Sequence, residues 1–391
     1  MTWTASLFPE LERQPLAFTT GILPSQTLRQ LIENGNIAAD APIDAAQVQP
    51  SSIDLRLGSV ACRVRASFLS SANSTVSRKL ENQTLHEIDL SRPAVLEKGC
   101  VYIVPLKESL NLPTQISGKA NPKSSTGRLD IFTRLITDYG RQFEFVPAGY
   151  KGPLYAEIVP RTFSVLVREG TRLNQLRLMR GTPSSSDTKL TELDERETLV
   201  YLEDELPGEA HISSKGLRFS IDLAGDLASG DGSGIIGYRA KKHTSLIDLE
   251  RIGYYEPLDF WDPIYRTKTR DLILDPEEFY ILASREKVRI PSTFAAEMVP
   301  YDPSVGEFRI HYAGFFDPGF GYGADDVKGT RAVLEVRSHE VPFLLEDGQE
   351  VGSLMFERLM AVPDKLYGQG IGSNYQHQGL ALGKQFKRSL P

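Results

Sequence analysis

FSVLVREGTRLNQLRLMR (163–180) and PFLLEDGQEVGSLMFER (342–358) decide how the chain folds. Each is a short run of Val, Leu and Phe, broken at a glycine and followed by a second apolar run. That is the pattern of strand, turn, strand. The two glycines, Gly170 and Gly348, stand 178 positions apart. The same spacing separates Tyr102-Ile103 from Tyr280-Ile281, Pro113 from Pro291, and Glu157 from Glu335. Upstream, Ser52-Ile53-Asp54-Leu55 recurs as Ser220-Ile221-Asp222-Leu223, and a further Ile-Asp-Leu follows at Ile88 and at Ile247. The offset changes there, as altered loop lengths would make it. Ordered matches across both halves predict a doubled chain. The seam is expected near 200–212, in the acidic YLEDELPGEAH, giving units 1–205 and 206–391.

Most other segments also read as strands. VYIVPL, YAEIVP and RAVLEV are short, rich in β-branched and aromatic residues, and bounded by Gly, Pro, Asn or Asp. This spacing favours a barrel or sandwich over alternating βαβ units. One helix is expected from Ser25, with Leu28, Leu31 and Ile32 on one face and Gly35 ending it. Residues 66–84 and 181–197 are polar and Ser/Thr-rich and read as long surface loops.

Composition narrows the function. The 391 residues are 40% hydrophobic, enough for sizeable cores, and carry a net charge of −7. An acidic chain is a poor general coat for nucleic acid, though a local basic pocket for a small anion is compatible with it. There is no apolar run of about 18 residues, so no membrane span is expected. The first residues have no basic stretch leading into an apolar one, so no secretory signal is expected. Cys62 and Cys100 are too few for a disulfide framework or a Cys-rich zinc site. The six histidines have no ligand spacing. These signs point to a cytoplasmic protein with reduced thiols. Gly232–Gly237 fits G-x-G-x-x-G, but no strand precedes it and no apolar helix follows, so it reads as a loop.

Three clusters carry chemistry. In Lys123-Ser124-Ser125-Thr126-Gly127-Arg128, small hydroxyl residues allow close approach to an anion, and Lys and Arg add charge. A solvated polar loop is the alternative. In the second cluster, AGFFDPGFG (313–321) holds a tight Asp317-Pro-Gly turn and leads to Val333-Leu334-Glu335. A glutamate inside an apolar strand must face a pocket, a partner or water. If buried, its pKa rises toward the range of a general acid–base. Glu157 has the same ambiguity. The third cluster is the tail with Tyr375, Gln376, Gln378 and Gly379, followed by Lys384 and Lys387; it is either ordered by a ligand or a frayed terminus.

Taken together, QPSSIDLRLG (49–58), the Lys-Ser-Ser-x-x-Arg loop, AGFFDPGFG with VLE, and the tail resemble the dCTP deaminase branch of the dUTPase-like superfamily, in its long two-domain form. The resemblance implies a mainly β fold of two tandem distorted β-barrel (β-clip) domains with a few short helices. It implies a homo-oligomer with three-fold symmetry and active sites between subunits. The implied reaction is dCTP plus water giving dUTP and ammonia, in dUTP and dTTP biosynthesis. It uses no zinc, and magnesium travels with the triphosphate. Lys123, Ser124, Ser125, Thr126, Gly127 and Arg128 match the phosphate loop, with Ser124 and Arg128 also helping to fix the water. Glu157 and Glu335 both fall at the position of the glutamate that shuttles the proton. Asp317 matches the residue near the sugar, Val333 and Leu334 are substrate-binding positions of the VLE motif, and Tyr375, Gln376 and Gln378 match the closing tail. At the repeat offset the basic loop becomes Tyr301–Gly306, without its cations, whereas the first half lacks the Asp-Pro-Gly turn and the tail. A composite site is therefore expected, with the loop from a first-half domain and the glutamate, turn and tail from a second-half domain. A dUTP pyrophosphatase, a bifunctional enzyme making dUMP, and a non-catalytic nucleotide binder are the alternatives.

Overall fold

The computed structural model describes residues 18–202, 205–214, 216–225, 234–300, 308–310, 314–322, 328–338, 340–368 and 379–388. Antiparallel strands dominate, with short helices between them. Among the described residues, no helix is long and apolar enough to cross a membrane.

The alternation of side chains along a strand explains the first half. The Lys151–Pro160 strand runs antiparallel to Val101–Asn111 on one side and to Ile131–Thr137 on the other. Leu154, Ala156 and Ile158 point into the main core and are fully buried. Tyr155 and Glu157 point to the opposite face. The second half repeats this pairing. Glu157 lies opposite Ile103, and Glu335, on Thr330–Ser338, lies opposite Ile281. Leu176 lies opposite Ala120, and Leu354 opposite Met298. In each case both partners are displaced by the same 178 positions, so the repeat is one of strand register as well as of letters.

The Ile-Asp-Leu matches do not share that register. Ile53 lies opposite Leu176, but the residue opposite Leu354 is Leu217, not Ile221. Ile221 bridges Ser284, as Leu57 bridges Leu106, so it is four residues out of step with Ile53. Ile88 belongs to a strand antiparallel to Val60–Val64, whereas Ile247 pairs in parallel with the first-half strand Val165–Val167. Short motifs at drifting offsets coincided; those at the constant offset reflect structure.

Two expected loops contain helices. Val76–Gln83 starts at Thr75, whose hydroxyl accepts from the Arg78 N–H at 3.3 Å, and Val76 is fully buried. Asp187–Glu197 is capped by Ser186 and buries Leu190 and Leu193, three apart on one face. Polar composition concealed that spacing. The early helix is Ser25–Glu33; Pro24 rather than Ser25 precedes its first turn, and Gly35 follows it with φ +71°. Ile235–Gly237 of the glycine motif lies in a strand, Ile235–Ala240, not in a loop.

Asp187–Glu197 and the Val200–Tyr201 strand fall in the unit 1–205 read from the sequence, yet both pack with the second half. Leu190, Leu193 and Val200 share a core with Leu217 and Leu282, and Val200 pairs with Val288. The two halves are fused across a shared core. Trp261, fully buried, meets Phe163 edge-on at 5.4 Å and Phe386 at 5.9 Å.

Candidate active site

The Lys123–Arg128 segment leaves the Ile116–Pro122 strand and turns through one short helix, Ser124–Gly127. Its shape is held from inside. The Gly127 N–H bonds Lys123 O at 3.0 Å, and the Thr126 hydroxyl donates to Leu173 O at 2.9 Å. Ser124 is left exposed and Arg128 is turned inward, 6% exposed. Arg128 Nη1 donates to Ala381 O at 3.0 Å, so the Gly379–Arg388 segment packs across this turn rather than fraying. Phe386 and Gln385 in that segment are buried.

The second half supplies the opposite wall. Glu335 is 5% exposed on its strand and faces Arg128. Burial pushes its carboxyl up to about 7, against the pull of the Arg128 guanidinium and of its own backbone N–H, with Asp130 adding a smaller upward push. Asp317 stands in the turn closed by Gly319, where φ is +91°. Ser51 Oγ donates to it at 2.6 Å, and Arg177 lies 3.9 Å away. Burial raises its carboxyl above the usual range, with Arg177 and the Ser51 hydroxyl opposing.

Lys123, Ser124, Arg128, Asp317, Val333 and Glu335 line one pocket of about 70 Å³. Lys123 also lines an adjoining cavity of about 870 Å³, which Ser125, Thr126, Arg172, Lys365 and Lys384 border. Four cations against two carboxylates, Asp54 and Glu250, give the cavity lining a net positive charge. Burial lowers Lys365 and Lys384 below the usual lysine range, and neighbouring cations add to this: Arg29 at Lys365, Lys123 at Lys384. Asp54 pairs with Lys123 beside it.

One chain thus brings a first-half loop and a second-half carboxylate, turn and strand into one place. The remaining candidates lie elsewhere. Glu157 is fully buried but away from both cavities, held by Arg134 Nη2 at 2.6 Å and Nε at 3.0 Å. Leu334 points into the second-half core, because neighbours along a strand face opposite sides. Gly127 is buried behind the loop. Tyr375, Gln376 and Gln378, and the Tyr301–Gly306 stretch, lie outside the described residues. Ser51, Asp54, Arg172 and Lys365 were not singled out from sequence. Ser51 and Asp54 lay inside the quoted QPSSIDLRLG motif, whereas nothing local marks Arg172 or Lys365. Among the described residues, no three His, Cys, Asp or Glu side chains converge on a metal-sized point.

Comparisons with known proteins bear on the family of the whole chain. Residues 19–182 match the family model described as the 2'-deoxycytidine 5'-triphosphate deaminase N-terminal domain, and residues 186–386 match its C-terminal domain. A Rhodococcus jostii protein, "dCTP deaminase, dUMP-forming", is 30% identical over 160 residues, covering 41% of this chain and 80% of its own. A Persephonella marina protein of the same name is 30% identical over 162 residues, covering 40% and 81%. The crystal structure of 2'-deoxycytidine 5'-triphosphate deaminase from Agrobacterium tumefaciens superposes with a TM-score of 0.82 at 53% identity, covering 88% of this chain and all of that one.

Proposed function

The chain belongs to the dCTP deaminase family, and from that membership we propose that it hydrolyses dCTP to dUTP and ammonia with Glu335 as the proton shuttle. One observation carries the reading: a buried carboxyl near pKa 7 faces a buried arginine, in a pocket that adjoins a cation-lined cavity.

The substrate is read as magnesium-bound dCTP. Its triphosphate lies toward Lys123, Ser125, Arg172, Lys365 and Lys384, and its sugar toward Asp317. The cytosine sits beside Val333, with C4 near Glu335. Glu335 enters as the carboxylate and takes a proton from water as the oxygen bonds to C4. The C4–N bond then breaks, and the same carboxyl returns a proton to the departing amine. Arg128 stabilises the carboxylate and, with Ser124, orients the water. Zinc has no part in this scheme.

We read the chain as two tandem dUTPase-like barrels, dividing near residues 183–186, with one working site per chain. It forms a cytoplasmic homo-oligomer with three-fold symmetry. Turnover of dCTP by the purified chain, with ammonia and nucleotide both measured, tests the reading; full turnover in Glu335→Gln would overturn it. The "dUMP-forming" relatives favour a second product scheme, in which pyrophosphate is also released. Pyrophosphate appearing in step with ammonia supports that scheme, and dUTP as the sole nucleotide product excludes it.

A further inference from the structure

Asp130 closes the loop that carries Arg128, and Arg337 lies two residues beyond Glu335 on the same face of its strand. The two form an ion pair across the halves, Arg337 Nη2 to Asp130 Oδ2, with both side chains almost wholly buried. Thr162 ties the pair together: its hydroxyl donates to Asp130 Oδ2 at 2.6 Å and accepts from Arg337 Nη2 at 3.1 Å. Asp130 is also fixed through its backbone. Its N–H bonds Gly127 O at 2.8 Å, its C=O accepts from the Arg161 N–H at 2.9 Å, and its φ is +53°. Arg337 is further held by the Glu277 carbonyl.

The two groups that must meet the water, Arg128 and Glu335, belong to different halves. Each is two residues from one member of this pair. At the repeat offset from Arg337 the first half has Val159, and Glu157 there pairs with Arg134 instead. The cross-half pair therefore belongs to the Glu335 side alone. We propose that Asp130 and Arg337 are positioning residues, which set the separation of Arg128 and Glu335 and so hold the water in line with C4. This rests on the reading of Glu335 given above.

The test measures kcat, KM for dCTP, the pH profile and the melting midpoint in four variants. They are Asp130→Asn, Arg337→Lys, the double variant Asp130→Asn with Arg337→Gln, and Thr162→Val. Asparagine suits the left-handed backbone at 130. The double variant leaves no unpaired buried charge, and Thr162→Val keeps the ion pair, so either reports if a single variant fails to fold. The expected result is a fall in kcat of about 10–100-fold in Asp130→Asn and in the double variant, because small misplacements of reacting groups are costly. KM should stay within about threefold, since the interaction acts on the chemical step. Arg337→Lys, which keeps the charge, should lose less than the double variant, and Thr162→Val should lose less than either.

The pH profile separates positioning from bulk stability. Glu335 faces Arg128 and Asp130, and shares its pocket with Lys123, Arg331 and Asp317. Removing the charge of Asp130 takes away its upward push on Glu335 and leaves Arg337 with only the exposed Glu277 carboxylate, at 3.6 Å, so the acid limb of kcat/KM should move to lower pH. In the double variant it should move less. Lower melting midpoints with unchanged kcat, or raised KM with unchanged kcat, overturn the proposal. Glu335→Gln is assayed alongside. Inactive Glu335→Gln with fully active Asp130→Asn sinks this inference alone; active Glu335→Gln sinks the reading beneath it.

Discussion

At Glu335 and Glu157 the same residue, at the same register, meets two environments. At Glu335 burial outweighs the pull of the Arg128 guanidinium and raises the carboxyl to about 7. Glu335→Gln should lower kcat about 10²–10⁴-fold, the usual weight of a general acid–base, with a calorimetric midpoint close to wild type. In the unmutated chain, kcat/KM should fall as pH drops below about 7, because the attack requires the carboxylate. The stability effect runs the other way. The folded chain holds this proton more tightly than the unfolded chain does. The contribution is therefore complete below the ordinary glutamate pKa and is lost as pH rises through about 7. Wild type should lose more melting temperature than Glu335→Gln between pH 5 and pH 8, read by differential scanning calorimetry. Glu157 is clamped by Arg134, which is itself stacked 3.4 Å from the Phe143 ring centre. Glu157→Gln should lower stability by about 2 kcal/mol by urea titration, less than a wholly buried pair because Arg134 is partly exposed, and leave kcat unchanged. The sequence favoured Glu335, through the composite site, without excluding Glu157, since the partner that clamps Glu157 arrives from a neighbouring strand.

At the level of the element, the turn that presents Asp317 depends on glycine. Gly321 has φ +76°, and a Cβ there would stand 2.1 Å from Val288 O. Gly321→Ala should lower stability by at least about 2 kcal/mol, from left-handed strain and displaced backbone together, and should raise KM by shifting Asp317. Thermal melts and steady-state kinetics on the same preparation check this. The glycines and Asp-Pro-Gly were readable as a turn because their backbone preferences are local. The Asp187–Glu197 helix was not, because Ser, Thr and Asp also favour loops. What holds it there is burial of Leu190 and Leu193 against strands far along the chain.

For the molecule as a whole, the two halves share one apolar cluster in which Trp261, Phe279 and Phe386 join Phe163. Unfolding should be a single cooperative transition. Trp261→Ala should lower its stability by about 3–5 kcal/mol without splitting it in two, as scanning calorimetry would show. Two separate transitions, one from each half, would contradict a common core.

Strand content, the doubling at a constant offset and the membership of the basic loop followed from the order of residues, because alternation, turn chemistry and charge are properties of neighbours. The burial that raises Glu335, which cations line the cavity, and that Asp130 meets Arg337 did not follow. Those depend on desolvation and on charges brought together from segments roughly two hundred residues apart, which local physics along the chain does not encode.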